Sequence, residues 1–281
     1  METKETKVAV NASKKPAAKK KTGFKGIKNA WVILVICLII AIIIFKFVFG
    51  DSSHFAGGDP EGKPLDILGT IYHGGVIVPI IWTQLFAVIT LTIERWLALK
   101  TAFGKDSLDK FVEQIKGALA KNDMAAAKTI CDKQGGSVAN VVTATLSKYQ
   151  EMAANTELDK EQKIQGIQKA LGEATALEMP SLQMNLPILA VIVTLGVLTG
   201  LLGTVVGMIK SFSALSAGGG TDSSALSAGI SEALVNTASG IATSWLSVVF
   251  YNFYTNKIDH LTYALDEVGF TIVSTFQETQ K

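Results

Sequence analysis

The sequence predicts an all-α, polytopic membrane protein whose helices continue past the bilayer on one side. Three observations carry that prediction. The 48% hydrophobic residues of this 281-residue chain are gathered into four long runs. The last two runs, residues 186–209 and 224–254, hold a single charged residue between them, Glu232. Between the second and third runs, residues 100–180 are polar and show apolar positions at helical spacing. A hydrocarbon core of about 30 Å needs roughly 20 helical residues, and each of the four runs can supply them.

Residues 1–28 hold nine lysines among Ala, Pro, Ser and Thr, a composition that predicts a disordered basic tail held in the cytoplasm by the positive-inside rule. Residues 29–50 form the first span. The run is too long and too β-branched for a signal peptide, and no Ala-x-Ala site follows it. Residues 51–73, rich in Gly, Pro and Asp, predict a periplasmic loop with a short interfacial helix from Asp66 to Tyr72. Residues 74–99 cross back and end in Glu94-Arg95-Trp96, where the only arginine reads as an anchor at the headgroups.

Residues 100–180 predict a cytoplasmic set of helices, with Leu108, Phe111, Ile115, Leu119, Ile164, Ile167 and Leu171 on buried faces and breaks at 121–123 and 134–136. Pro180 and Pro187 mark the start of the third span, residues 186–212. Residues 213–224, with Gly218-Gly219-Gly220, predict a second periplasmic loop. Residues 225–252 form the fourth span, and residues 253–281 a separate cytoplasmic amphipathic helix bearing Ile258, Leu261, Leu265, Val268 and Ile272. Both termini then lie in the cytoplasm.

Several function classes are disfavoured. A net charge of +2 gives no case for nucleic-acid binding. Two cysteines in unrelated blocks read as free thiols, and three scattered histidines offer no metal-ligand spacing. Residues 203–211 (GTVVGMIKS) lack the Gly-Lys-Ser/Thr ending of a phosphate loop. No nucleophile, base and orienter are grouped, so neither an enzyme nor a cofactor is expected.

The chemistry lies in the last two spans. Gly196, Gly200, Gly203 and Gly207 fall within one ~60° stripe of an ideal helix, a pattern that lets helix backbones approach closely in lipid. Thr204 lies beside that stripe and offers a hydroxyl at the contact. In the fourth span Glu232, Asn236, Ser239, Thr243 and Ser247 share a face, each within ~60° of the glutamate. A polar stripe running from an intramembrane carboxylate fits a proton or ion path, and it also fits interhelical hydrogen bonding. The residues leave both readings open.

The segments GLLGTVVGMIKSFSAL (Gly200 to Leu215) and ISEALVNTASGI (Ile230 to Ile241) closely resemble the MotA/TolQ/ExbB proton-channel family, nearest its ExbB/TolQ branch. The Glu94-Arg95 pair ending a span and the helical insert look like that family too. The resemblance covers roughly residues 68–260. It implies a homo-oligomeric, pentameric ring around a dimer of an ExbD/TolR-like single-span protein. A TonB- or TolA-like transducer would take up the work, in a bacterial inner membrane. By position it implies channel roles for Thr204, Glu232 and Thr237. Thr237 sits ~140° around an ideal helix from Glu232, so the two would face different neighbours. The chain departs from the family's pattern in having Val193-Thr194-Leu195 where Ala-Pro is common, and in its first span and lysine tail. The implied function is an ExbB-like subunit of a proton-driven motor energising outer-membrane transport. A TolQ-like, gliding or flagellar stator and a non-conducting membrane scaffold are the alternatives.

Overall fold

A computed structural model describes residues 26–27, 29–217 and 223–279, so most of the basic tail and the glycine triplet at 218–220 lie outside the described residues. The described residues are helical, without a named strand, and four helices are long and apolar enough to cross a membrane. The α-helices are α1 (Ala30–Ile44, continued by a wider turn at Phe45–Phe49), α2 (Ile67–Tyr72), α3 (Ile77–Phe103), α4 (Leu108–Ala120), α5 (Met124–Gln134), α6 (Gly136–Ala154), α7 (Lys160–Gln183), α8 (Leu186–Ala217) and α9 (Ser223–Thr279). The membrane-length helices are α1, α3, α8 and the first half of α9; α4, α6 and α7 pack against α9 beyond the span, and α5 packs on α4 and α6.

At the opposite end, aromatic rings tie α1 to α2 and α3. Phe45 stacks on Tyr72 with centroids 4.8 Å apart, and Phe49 meets Trp82 edge-on at 4.8 Å. Asp66 caps α2 by accepting from the Gly69 amide at 2.9 Å, and its second oxygen lies 2.7 Å from His54 Nδ1. Such caps satisfy amides that a helix start leaves without partners.

The polar end is a conventional core. Leu108, Phe111, Ile115 and Leu119 are buried on α4, and Ile167 on α7. The break at 134–136 is held by Gln134, whose buried amide donates to the Phe103 and Asp106 carbonyls at 2.8 and 2.9 Å. The start of α7 has a capping box between Asp159 and Gln162.

Three boundaries differ from the sequence expectation. The fourth span and the C-terminal amphipathic helix are one 57-residue helix, ~85 Å long at 1.5 Å per residue. No Gly or Pro lies between Gly240 and Gly269, so the polar group at 252–257 interrupts hydropathy without interrupting the helix. Residues 213–217 belong to α8 rather than to a loop, because Ser, Ala and Leu continue a helix until the glycines begin. Pro180 sits inside α7, whereas Pro187 is in the first turn of α8. The turn between these helices is Asn185, at φ +65°.

Arg95 is the largest correction. It is fully buried rather than anchored at a headgroup surface. Its Nε donates to Glu94 Oε2 at 2.6 Å, and its Nη1 donates to the Ser181 and Leu182 carbonyls at 3.3 Å each. Those carbonyls belong to the last turn of α7, where helices leave acceptors unpaired. Glu94 also accepts from the Ile27 amide at 2.9 Å, and Asn185 Nδ2 donates to the Ile27 carbonyl. One ion pair therefore joins α3, the α7–α8 turn and the segment entering α1.

A glycine seam joins α8 to α9. Gly196 faces Gly240 and Ser244, Gly200 faces Asn236 and Gly240, Gly203 faces the Asn236 side chain, and Gly207 faces Gly229 and Ala233. The partner small residues on α9, Gly229, Ala233, Gly240 and Ser244, recur less regularly, and that spacing is the signal that marks them.

Replacing Arg95 with Ala leaves Glu94 buried without its cation and should cost about 3–5 kcal/mol. Lys should restore only part, since one ammonium cannot span the carboxylate and both carbonyls; unfolding of the detergent-purified protein measures both. A Cβ at Gly240 would lie 2.5 Å from the Gly196 carbonyl oxygen, so Gly240→Ala should destabilise by about 1–3 kcal/mol. Gly172→Ala, in open space on α7, should stabilise by about 0.5–1 kcal/mol in the same assay. Burial pushes the Cys131 thiol up to about 11. The thiolate is the reactive form, so maleimide should label it at neutral pH only after denaturation.

Candidate functional site

Glu232 lies on the first half of α9 with its side chain 11% exposed. Its Oε1 accepts a hydrogen bond from Lys210 Nζ of α8 at 2.6 Å. Lys210 stands one residue past the uncharged run 186–209. A reading confined to that run misses it, and counting charges through the end of the helix would have found it. Its side chain is 52% exposed, so the pair has one enclosed member and one open one.

The turn between α2 and α3 closes the site. Gly75, at φ +72°, comes so near that a Cβ there would lie 2.6 Å from Glu232 Oε1 and 3.3 Å from Lys210 Nζ. A side chain is excluded by the backbone angle and again by space. Asn236, one turn along α9 and fully buried, donates from Nδ2 to the Gly74 carbonyl at 2.9 Å. Its Oδ1 has no hydrogen-bond partner among the described residues. A buried acceptor without a donor is uncommon, and it marks a place that water or a ligand proton can complete.

Further along the stripe, Ser239 is half-buried and Thr243 buried, and the Thr243 hydroxyl donates to the Ser239 carbonyl at 2.9 Å. Ser244 and Ser247 donate across to α8, to the Val193 and Leu189 carbonyls at 2.5 and 2.8 Å. Thr237 turns the other way: its hydroxyl reaches the Ala233 carbonyl of its own helix at 3.2 Å and Gly200 of α8 at 3.4 Å. Thr204 donates to Leu201 in its own helix at 2.6 Å and lines an open apolar groove with Val205, Met208, Ile209 and Phe212. The structure thus brings Glu232, Asn236, Lys210 and Gly75 together in one chain. Thr204 opens onto a different surface.

The outer faces of both helices are apolar. Leu195, Leu198, Leu202 and Val205 on α8 and Leu234, Ile241 and Trp245 on α9 are each well exposed. A helix pair with an acid inside and aliphatic residues outside suits lipid or further copies of the chain.

Residues 137–267 match the profile described as the MotA/TolQ/ExbB proton channel family. The putative biopolymer transport protein ExbB-like 3 of Synechocystis is 39% identical over 87 residues, which are 30% of this chain and 41% of that protein. The biopolymer transport protein ExbB of Helicobacter pylori is 37% identical over 94 residues, 34% of this chain and 64% of that one. The Tol-Pal system protein TolQ of Pseudomonas aeruginosa is 23% identical over 195 residues, 68% of this chain and 84% of that protein. The chain therefore spans less than two thirds of either ExbB relative. The matched stretch, residues 137–267, carries nearly all of α6, then α7, α8, most of α9 and the Lys210–Glu232 pair, and over that stretch the chain is similar to the MotA/TolQ/ExbB proton channel family.

Proposed function

We propose that this protein is an ExbB-like channel subunit of a motor driven by the proton-motive force in a bacterial inner membrane. It conducts protons together with an ExbD-like single-span dimer and energises TonB-dependent transport across the outer membrane. The observation that carries this reading is Glu232, a carboxylate buried between two apolar helices inside the stretch that matches a proton channel family. Intramembrane acids are costly, and they face a protein interior or a water-filled path.

The path runs along α9 from Glu232 past Asn236 to Ser239 and Thr243. The unpartnered Asn236 Oδ1 supports it, because that oxygen is an acceptor for a water or a proton carrier beside the acid. Thr204 and Thr237 serve it from the faces that meet neighbouring copies or the lumen. Five copies would form the ring and cover the aliphatic faces of α8. The glycines Gly196, Gly200, Gly203 and Gly207 hold α8 and α9 together within each copy.

Nine lysines in residues 1–28 support an orientation with the N-terminal tail, α4 to α7 and the end of α9 in the cytoplasm. Residues 51–73 and the turn between α8 and α9 then face the periplasm. The first span, α1, packs on α3 and keeps an aliphatic face that suits the outside of the ring.

A TolQ-like output is the second reading, favoured by the TolQ of Pseudomonas aeruginosa, whose match covers 68% of this chain. Affinity purification from native membranes separates the two by the transducer recovered, TonB-like or TolA-like.

Glu232→Gln keeps size and hydrogen-bonding capacity but cannot ionise. In proteoliposomes holding the subunit with its co-purified partner, the variant should assemble normally and lose proton flux. Wild-type flux in the variant would overturn the channel role of Glu232, whereas absence of flux from the wild-type complex would favour the scaffold.

A further inference from the structure

Lys210 has no part in the path described above, yet its ammonium sits on the acid itself, 2.6 Å from Glu232 Oε1. We propose that Lys210 is a built-in counter-cation that makes the Glu232 site selective for protons over alkali-metal cations. The inference rests on reading Glu232 as the ion-carrying acid.

An alkali-metal ion and a proton ask different things of a carboxylate. Sodium sites inside membrane proteins combine side-chain oxygens with backbone carbonyls that broken helices release. Both helices here are continuous through the site, α8 past Lys210 and α9 past Glu232. Their carbonyls stay in the helix ladder.

Among the described residues, two further oxygens near the pair are already engaged. The Gly74 carbonyl accepts from Asn236, and the Ser211 hydroxyl is turned toward the Gly207 and Leu226 carbonyls. Asn236 Oδ1 is left uncommitted beside the carboxylate, so the ammonium on Oε1 is what stands between this pair of oxygens and a hydrated cation. Gly75 fills the remaining side with backbone. A metal ion would have to displace the ammonium from Oε1 and bring its ligands as water. A proton needs one lone pair.

The two sides of the pair differ in a way that suits this role. Glu232 is held in a dry site, while the long Lys210 side chain is about half exposed. An open ammonium on a flexible stem can leave and return without disturbing the seam, so the charge is balanced between proton transfers. From the α2–α3 turn, the uncharged Gly74 and Gly75 come to the site, Gly75 against the pair and Gly74 against Asn236.

The test uses full-length protein purified with its native partner and reconstituted in liposomes. Proton flux is measured under an imposed gradient in choline buffer and in sodium buffer, together with uptake of tracer sodium. Wild type and Lys210→Arg should conduct protons equally in both buffers and take up no sodium. Lys210→Gln should lose proton flux in sodium relative to choline and gain sodium uptake. In detergent its thermal midpoint should rise with sodium, because a ligand bound to the native state stabilises it.

A Gln variant with wild-type flux in both buffers and no sodium shift in its midpoint overturns the proposal. Where the Gln variant fails to assemble by size-exclusion chromatography, Lys210→Asn is read by the same criteria, and failure of both makes Lys210 a structural residue and also overturns it. A wild-type complex that conducts no protons refutes the channel reading of Glu232 instead, so the two failures are distinguishable.

Discussion

A carboxylate removed from water needs a cation or a set of donors in reach, and two such acids organise this helical bundle. Glu94 is matched by Arg95, its neighbour in sequence, and both are dry. The guanidinium has donors to spare, and it uses them on carbonyls at the end of α7. Glu232 is matched by Lys210 from another helix, and only the acid is dry. An arginine fork fixes several groups at once, whereas a lysine offers one mobile charge. The first pair is suited to holding three segments in place, and the second to changing partners.

The glycine seam makes the second pair possible. With no side chains between them, α8 and α9 approach until Gly240 lies against Gly196 and Gly200. At that separation short hydroxyls on α9 reach carbonyls on α8, as Ser244 and Ser247 do. The seam also sets the register that places Lys210 opposite Glu232. Packing of this kind replaces the hydrophobic driving force that lipid removes.

Continuity of α9 links the membrane site to the polar core. The helix that carries Glu232 also carries Leu261, Leu265, Val268, Ile272 and Phe276, all buried among α4, α6 and α7. With no glycine or proline between Gly240 and Gly269, no break in the helix separates these two regions. Any movement of α9 at Glu232 must be absorbed by the core at the far end or carried into it.

By itself the sequence determined the features that depend on local pattern: four membrane-length apolar helices, the buried faces of α4 and α9, the break at Gln134, and an acid inside a span. Each follows from hydropathy or helical period over a few turns, and that information lies within each segment. The tertiary structure decided which charges meet. Arg95 reads as a surface anchor until α7 brings its open carbonyls, from 86 and 87 residues away, to the guanidinium. Lys210 reads as the edge of a span until α9 folds back and sets Glu232, 22 residues on, against it. Pairing across helices depends on register and rotation, and these follow from how Gly196, Gly200, Gly203 and Gly207 pack against a second helix, which no single helical period encodes.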